Sequence, residues 1–173
     1  MPETKIQPHL FIIFGATGDL IKRKLVPSLF RLAAKGLLKQ KFLVLGVART
    51  EDMDDRAFRA HISKAILDSG LIQESATEWC DTCVFYHSLG QGSADDYRHL
   101  TSRITCMERE HHMPENRVFY LALPPAAFAS TIRGLGESGL NASQGWTRLV
   151  VEKPFGHDMV SAKELNRLVH SYF

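Results

Sequence analysis

The chain has 173 residues, of which 45% are hydrophobic and 23% charged, and its formal net charge is +2 at pH 7. This length and composition fit one folded domain with a substantial core. The nearly neutral charge gives no reason to expect nucleic acid as a partner, and no apolar run is long enough for a membrane-spanning helix.

Strands and helices alternate along the chain. The first predicted strand, Leu10–Phe14, is an unbroken apolar run, as buried parallel strands are. A helical stretch follows over Asp19–Ala34, in which Pro27 predicts a kink or a fresh start. Further strands are predicted at Phe42–Ala48, Val84–Tyr86, Val118–Leu123 and Leu149–Val151, and further helices at Asp54–Leu67, Ala94–Glu110, Ala126–Glu137 and Ser161–His170. This alternation predicts a Rossmann-like, doubly wound α/β fold: a mostly parallel sheet with helices on both faces.

A glycine turn follows the first strand. Gly15 and Gly18 allow the backbone to turn sharply and bring a ligand close to its amides. The next helix presents its N-terminus, where free N–H groups and the helix dipole favour a phosphate. This combination is typical of a dinucleotide-binding unit. Because the third glycine of the usual G-x-G-x-x-G pattern is absent, a turn that needs glycine only for steric reasons stays open as an alternative.

The second strand is followed by Arg49, where an NAD-binding domain usually has an acidic residue against the ribose hydroxyls. A guanidinium group can instead hold the 2′-phosphate of NADP with two parallel hydrogen bonds. The sequence therefore favours NADP, with NAD as the weaker alternative. Glu51 and Asp52 lie close in sequence and would reduce this preference, and an ordinary surface arginine is the other interpretation.

The fifth strand is followed by Glu152 and Lys153, and then by Pro154 and Gly156. Ligands of such folds bind at the carboxyl edge of the sheet, so Lys153 is a candidate for contact with a substrate phosphate or hydroxyl and with the nicotinamide end of a cofactor. Pro154 is expected to fix the turn, with a cis peptide bond as one option. The alternative is a solvated lysine paired with Glu152.

The cysteines offer a weaker signal. Cys80 and Cys83 form a lone C-x-x-C, which has no recognised second pair of zinc ligands and precedes a strand rather than following one. We interpret them as structural cysteines. Three cysteines are too few for a disulfide framework, and the polar start Met1–Lys5 lacks a signal-peptide core, so a reduced, cytoplasmic protein is expected.

Three motifs together resemble the glucose-6-phosphate dehydrogenase family. They are G-A-T-G-D-L at Gly15–Leu20, L-P-P at Leu123–Pro125 and E-K-P-F-G at Glu152–Gly156, in this order and spacing. Shorter matches are Lys22–Lys24 before Pro27, Val47–Arg49 and Phe119–Ala122. The family commonly has alanine where this chain has Ile21. The resemblance covers almost the whole chain.

The resemblance implies that residues 1–173 form the NADP-binding domain of an enzyme that oxidises glucose 6-phosphate to 6-phosphogluconolactone, the first step of the oxidative pentose phosphate pathway. It implies a pyrophosphate site at the glycine motif, a 2′-phosphate contact at Arg49, and a lysine, Lys153, that touches both substrate and cofactor. The cofactor-binding residues implied are Gly15, Ala16, Thr17, Gly18, Asp19, Leu20, Ile21, Lys22, Arg49, Gly90, Gln91 and Lys153.

The chain departs from the family pattern in one respect. The family's substrate motif R-I-D-H-Y-L-G-K, its general-base histidine and its large C-terminal sheet lie beyond Phe173. Hydride transfer from the sugar needs a base to take the hydroxyl proton. We therefore expect no catalytic base here, and NADP binding without appreciable dehydrogenase activity. Glucose 6-phosphate binding and homo-oligomer formation are expected of the complete enzyme, through the absent domain.

Two other functions stay open. A short-chain-type reductase can begin with a similar glycine turn, but it needs a Tyr-x-x-x-Lys pair, which this sequence lacks. A non-catalytic nucleotide-binding module, or half of a split enzyme, is the second. The surface that would meet a second domain is expected to carry an apolar patch, for which Phe155, Tyr172 and Phe173 are candidates.

Overall fold

A five-stranded parallel sheet forms the centre of the computed structural model, which describes residues 6–38, 41–71, 73–153 and 158–173. The strands are β1 (His9–Phe14), β2 (Phe42–Ala48), β3 (Val84–Ser88), β4 (Arg117–Leu121) and β5 (Thr147–Val151). Their order in the sheet is β3-β2-β1-β4-β5, with every neighbouring pair parallel. The chain runs outward from β1 in both directions, so the predicted doubly wound α/β fold is confirmed. The switch between β1 and β4 leaves a crevice at the carboxyl edge, where ligands of such sheets bind.

Helices cover both faces of the sheet. They are α1 (Val26–Ala34), α2 (Asp55–Asp68), α3 (Gln73–Cys83), α4 (Ala94–Glu110), α5 (Phe128–Glu137) and α6 (Met159–Tyr172). A π-helical segment, Ile21–Leu25, precedes α1, and a 3₁₀ turn, Pro125–Ala127, precedes α5. In the parts of the chain that the structure describes, none of the helices has both the length and the apolar character needed to cross a membrane.

Most predicted elements are present with small differences at their ends. The fresh start predicted at Pro27 is confirmed, because Pro27 lies in the first turn of α1, directly after the π-helical segment. Helix α4 has the predicted bounds, and its N-cap Ser93 forms a capping box with Asp96. Helix α3 was not predicted. Helix α6 begins two residues earlier than predicted, because Asp158 caps it and accepts a hydrogen bond from the Ser161 amide.

The core consists of one apolar layer on each side of the sheet. Successive residues of β1 point to opposite faces of the sheet, and two of them, Ile12 and Ile13, are both fully buried. On one face, α4, α5 and α6 contribute Leu100, Ile104, Ile132, Leu135 and Leu165. On the other, α1, α2 and α3 contribute Leu29, Phe30, Phe58, Ile62, Ile66, Ala76 and Cys80. Both faces are covered, so the carboxyl edge is the natural place for a ligand.

The C-terminal aromatic residues pack onto the core. The Phe173 ring lies edge-on to Phe119 at a centroid distance of 6.4 Å, and Tyr172 fills the space above Gly136. Tyr172 and Phe173, candidates for an exposed apolar patch, are thus partly buried, because α6 turns their rings toward α5 and the sheet. Phe155, the third candidate, lies outside the described residues.

A buried ion pair joins the end of α4 to the start of β4. The Arg117 guanidinium donates to both carboxylate oxygens of Glu108, at 2.7 and 2.8 Å, and to the Ala142 carbonyl at 3.2 Å. The two side chains are only 8% and 5% exposed. Bidentate geometry of this kind compensates for the loss of hydration, and removal of one partner would leave a buried charge.

Cys80 and Cys83 lie near the end of α3, and Cys106 lies in α4. Cys80 is buried in the core, and burial raises the pKa of its thiol to about 12. Cys83 and Cys106 are partly exposed. Among the described residues, no group of three or more His, Cys, Asp or Glu side chains is arranged to hold a metal ion. The packing of Cys80 supports its interpretation as a structural residue.

Burial of Cys80 predicts selective thiol labelling. Because the thiolate is the reactive form, the raised pKa and burial should keep Cys80 unmodified at pH 8 in the folded chain, while Cys83 and Cys106 react. Peptide mass mapping after treatment with a maleimide, with and without urea, would measure this. Modification of Cys80 at the same rate as Cys83 in the folded chain would contradict it.

Candidate dinucleotide-binding site

A cleft of about 210 Å³ lies at the carboxyl edge of the sheet. It is formed by the segments that follow β1, β2, β3 and β4, and by one side of α4 and α5. Its lining residues are Phe14, Gly15, Thr17, Val47, Ala48, Arg49, Leu89, Gln91, Gly92, Tyr97, Leu123, Ala127, Ser130 and Thr131. The sheet therefore brings together the glycine turn and the arginine that were predicted from separate parts of the sequence.

The glycine turn is held against both neighbouring strands. The Gly15 amide donates to the Val47 carbonyl at 2.9 Å, and the Gly18 amide donates to the Gly15 carbonyl at 3.0 Å, which closes the turn. Gly15 has a φ of +81°, and a Cβ atom there would lie 2.3 Å from the Ala122 carbonyl oxygen. Only glycine satisfies both the backbone conformation and this close approach.

The other residues of the predicted glycine motif lie in different environments. Thr17 lines the cleft. Ala16 and Ile21 are fully buried in the core beside β2, so neither presents its side chain to a ligand. Leu20 is 39% exposed.

Asp19 and Lys22 lie on the outer side of the turn. They line a second groove, between the π-helical segment and α2, together with His61 and Lys64. Burial and the nearby charges of Lys22 and Lys64 lower the pKa of His61. The structure thus divides the predicted cofactor residues between the cleft and this neighbouring groove.

Arg49 follows β2 directly and lines the cleft next to Tyr97. Burial raises the pKa of the Tyr97 hydroxyl, while a hydrogen bond with Thr131 and the positive charge of Arg49 act in the opposite direction. The guanidinium group is exposed, so an anion can reach it. The cleft thus carries a cationic group at the end of β2, as the sequence predicts.

The loop after β3 closes the same side of the cleft. Gln91 and Gly92 line it, whereas Gly90 lies just outside and packs against the Asp96 carboxylate. Hydrogen bonds from the Ser93 backbone amide and from the Ser93 hydroxyl lower the pKa of Asp96. Of the predicted pair, Gln91 therefore has the more direct access to a ligand.

Lys153 follows β5 and is exposed at the carboxyl edge. It is not among the residues that line the cleft, from which β4 separates it. Its neighbour Glu152 accepts a hydrogen bond from the Tyr120 hydroxyl, and burial together with that carboxylate raises the pKa of Tyr120 to about 12. Pro154, with its predicted turn, and Gly156 lie outside the described residues.

Sequence reasoning missed the cleft residues that helices contribute. Tyr97, Ser130 and Thr131 come from α4 and α5 and form the wall opposite the glycine turn. The Tyr97 ring lies on Gly134, where a Cβ atom would be 2.2 Å from it. In the sequence, the one available signal of this close contact was a glycine within a predicted helix. Glycine lowers the stability of a helix, so its presence there indicates a packing contact that offsets the loss.

Comparison with known proteins identifies the family. The family model described as glucose-6-phosphate dehydrogenase, NAD binding domain, matches residues 12–173. The chain belongs to the glucose-6-phosphate dehydrogenase family. The resemblance predicted from the three sequence motifs is therefore confirmed.

Relatives with curated names agree with this assignment. Glucose-6-phosphate 1-dehydrogenase of Bacillus subtilis is 36% identical over 172 residues, and the chloroplastic glucose-6-phosphate 1-dehydrogenase of Spinacia oleracea is 39% identical over 176. Each alignment covers 99% of this chain, but 34% of the bacterial and 30% of the plant relative. The chain thus spans about a third of the length of these relatives.

Solved structures of the family share the fold. One, described as glucose-6-phosphate dehydrogenase in complex with its substrate glucose-6-phosphate, has a TM-score of 0.83 and 33% identity, over 100% of this chain and 36% of that one. A second, glucose-6-phosphate 1-dehydrogenase from Mycobacterium avium, has a TM-score of 0.79 and 27% identity, over 96% of this chain and 34% of that one. The observed sheet is therefore the dinucleotide-binding part of this family's fold.

Proposed function

We propose that this chain binds NADP in the cleft at the carboxyl edge and supplies the cofactor site of an enzyme that oxidises glucose 6-phosphate. One observation carries the proposal: a single cleft combines the tight Gly15 turn with the exposed guanidinium of Arg49. The first suits a pyrophosphate that approaches bare backbone, and the second suits a 2′-phosphate. Membership of the family supports the assignment.

The residues present fit such a cofactor. Gly15 and Gly18 carry no side chains in this turn, and Thr17, between them, offers a hydroxyl to the cleft. Arg49 would hold the 2′-phosphate, with Gln91 beside it, and Tyr97 and Leu123 form walls of the cleft. When bound, the nicotinamide supplies the hydride acceptor.

Lys153 is proposed as the contact to the sugar phosphate. Lys153 is exposed at the carboxyl edge, and the Tyr120 hydroxyl holds the carboxylate of the preceding residue, Glu152. A neighbouring solved structure contains glucose 6-phosphate as its substrate, which supports this substrate class. We assign the base that takes the hydroxyl proton to no residue of this chain. A cytoplasmic location and a homo-oligomeric complete enzyme belong to the same proposal.

Substitution of Arg49 tests the proposal. In Arg49→Ala, the affinity for NADPH should fall roughly tenfold to a hundredfold, because charge-assisted hydrogen bonds contribute about 1.5–3 kcal/mol. The affinity for NADH should stay unchanged, since NADH has no 2′-phosphate. Titration of cofactor fluorescence with each nucleotide measures both affinities.

Arg56→Ala is the matched control. It removes the same charge from α2, in a groove that faces α3 rather than the cleft, and it should change neither affinity. Equal losses for NADPH in the two variants would show that only net charge matters. An unsubstituted chain that bound neither nucleotide would contradict the proposed function directly.

A further inference from the structure

The backbone on both sides of Arg49 is tied to the β3 segment. The Ala48 carbonyl accepts a hydrogen bond from the Leu89 amide at 2.8 Å, and the Thr50 carbonyl accepts one from the Tyr86 hydroxyl at 2.8 Å. The first bond continues the β2–β3 ladder by one residue. The second comes from a side chain and reaches past the end of β2. Arg49 therefore lies between two fixed carbonyl groups.

Tyr86 is itself held rigidly. It is 5% exposed, its ring contacts Phe58 at a centroid distance of 5.1 Å, and its register partner on β2 is Gly46. Burial raises the pKa of its hydroxyl, so the group stays protonated and continues to donate across the physiological range. A buried ring in a packed core is a stable base for a long-range hydrogen bond.

The loop that follows β2 is fixed separately at its far end, where α2 begins. The Tyr86 amide donates to one oxygen of the Asp55 carboxylate at 2.7 Å, and Arg103 of α4 contacts the other oxygen at 2.8 Å. Residues 49–52 between these points are exposed, so packing does not hold them. The hydrogen bond from the Tyr86 hydroxyl to the Thr50 carbonyl therefore holds the backbone immediately after Arg49.

We infer that Tyr86 is a positioning residue for 2′-phosphate recognition: its hydroxyl holds the Thr50 carbonyl, and so fixes the backbone from which Arg49 reaches the cleft. This inference rests on the proposed NADP-binding function. Tyr86 would touch no part of the cofactor, because it is not among the cleft-lining residues and its hydroxyl is already bonded to Thr50. Its effect would be on selectivity between NADPH and NADH, since only NADPH uses the arginine.

Tyr86→Phe removes one hydroxyl and keeps the ring. We expect the affinity for NADPH to fall about threefold to tenfold, as for the loss of one hydrogen bond, with the affinity for NADH unchanged. Amide hydrogen exchange over residues 50–54 of the nucleotide-free chain should become faster. In an Arg49→Ala background the same substitution should cause no further loss of NADPH affinity, because the two residues act through one contact.

Tyr172→Phe is the matched control, because its ring packs over Gly136 on α5 and it belongs to none of the segments around Arg49. It should change neither the selectivity nor the exchange of residues 50–54. Equal losses of NADPH and NADH affinity in Tyr86→Phe, or unchanged selectivity and exchange, would overturn the inference. Absence of any NADPH preference in the unsubstituted chain would instead overturn the proposed function, and this inference with it.

Discussion

Replacement of Glu108 by alanine is expected to lower the free energy of unfolding by about 3–5 kcal/mol, because it leaves a buried charge without a partner. Glu108 accepts both hydrogen bonds of the Arg117 fork, and the two side chains are 5% and 8% exposed. Without the carboxylate, the guanidinium keeps its bond to the Ala142 carbonyl but has no charged partner among the described residues. Urea denaturation followed by circular dichroism measures the change.

An exposed ion pair provides the control. Arg98 and Asp95 also form a contact on α4, but their side chains are 73% and 66% exposed, so Arg98→Ala should change the stability by no more than about 1 kcal/mol. Glu108→Gln, which keeps the size and one acceptor, should lie between the two. If Glu108→Ala and Arg98→Ala lowered the free energy of unfolding equally, burial would not be what makes the Glu108–Arg117 pair important for stability.

The sheet could be predicted from the sequence because parallel strands buried on both faces are continuous apolar runs. Leu10–Phe14 and Phe42–Ala48 have this form, and both lie within or coincide with observed strands. The Glu108–Arg117 pair could not be predicted in the same way. Its two residues look like ordinary surface charges in sequence, and only the turn between α4 and β4 brings them together inside the protein.

Helix α3 shows why an element can be missed. Among residues 75–83, the part of the helix whose burial the structure describes, the buried side chains are the small Ala76 and Cys80, four residues apart. The sequence therefore has no apolar stripe long enough to recognise. The helix is held by tertiary contacts, among them the edge-on packing of Trp79 against Phe30 of α1. Packing partners, rather than local periodicity, decide the structure there.

The site was predictable where its residues directly follow strands. Gly15 and Arg49 come immediately after β1 and β2, and parallel strands place their carboxyl ends at one edge. Tyr97 and Thr131 could not be placed, because their access to the cleft depends on how α4 and α5 are rotated against each other. In the observed packing the Tyr97 ring lies against Gly134 of α5.

Substitution of Gly15 by alanine should weaken the binding of both NADPH and NADH by more than about tenfold. A positive φ costs an alanine roughly 1–2 kcal/mol, and here the new Cβ would also lie 2.3 Å from the Ala122 carbonyl oxygen. That segment has little freedom to move, since the Ala122 amide donates to the Phe14 carbonyl at 3.0 Å. The turn itself must therefore shift, which would disturb the proposed pyrophosphate site. Nucleotide titration at a temperature where circular dichroism shows a folded chain measures the loss.

Gly70→Ala separates the effect of the positive φ from the effect of the clash. Gly70 has nearly the same φ as Gly15, +80° against +81°, but a Cβ atom there meets nothing within 4 Å. It shares the backbone strain without the clash and lies after α2, away from the cleft. We expect it to lower stability by about 1 kcal/mol and to leave nucleotide affinity unchanged. If Gly15→Ala bound both nucleotides as tightly as Gly70→Ala does, the close approach of Gly15 to the Ala122 carbonyl would not shape the proposed cofactor site.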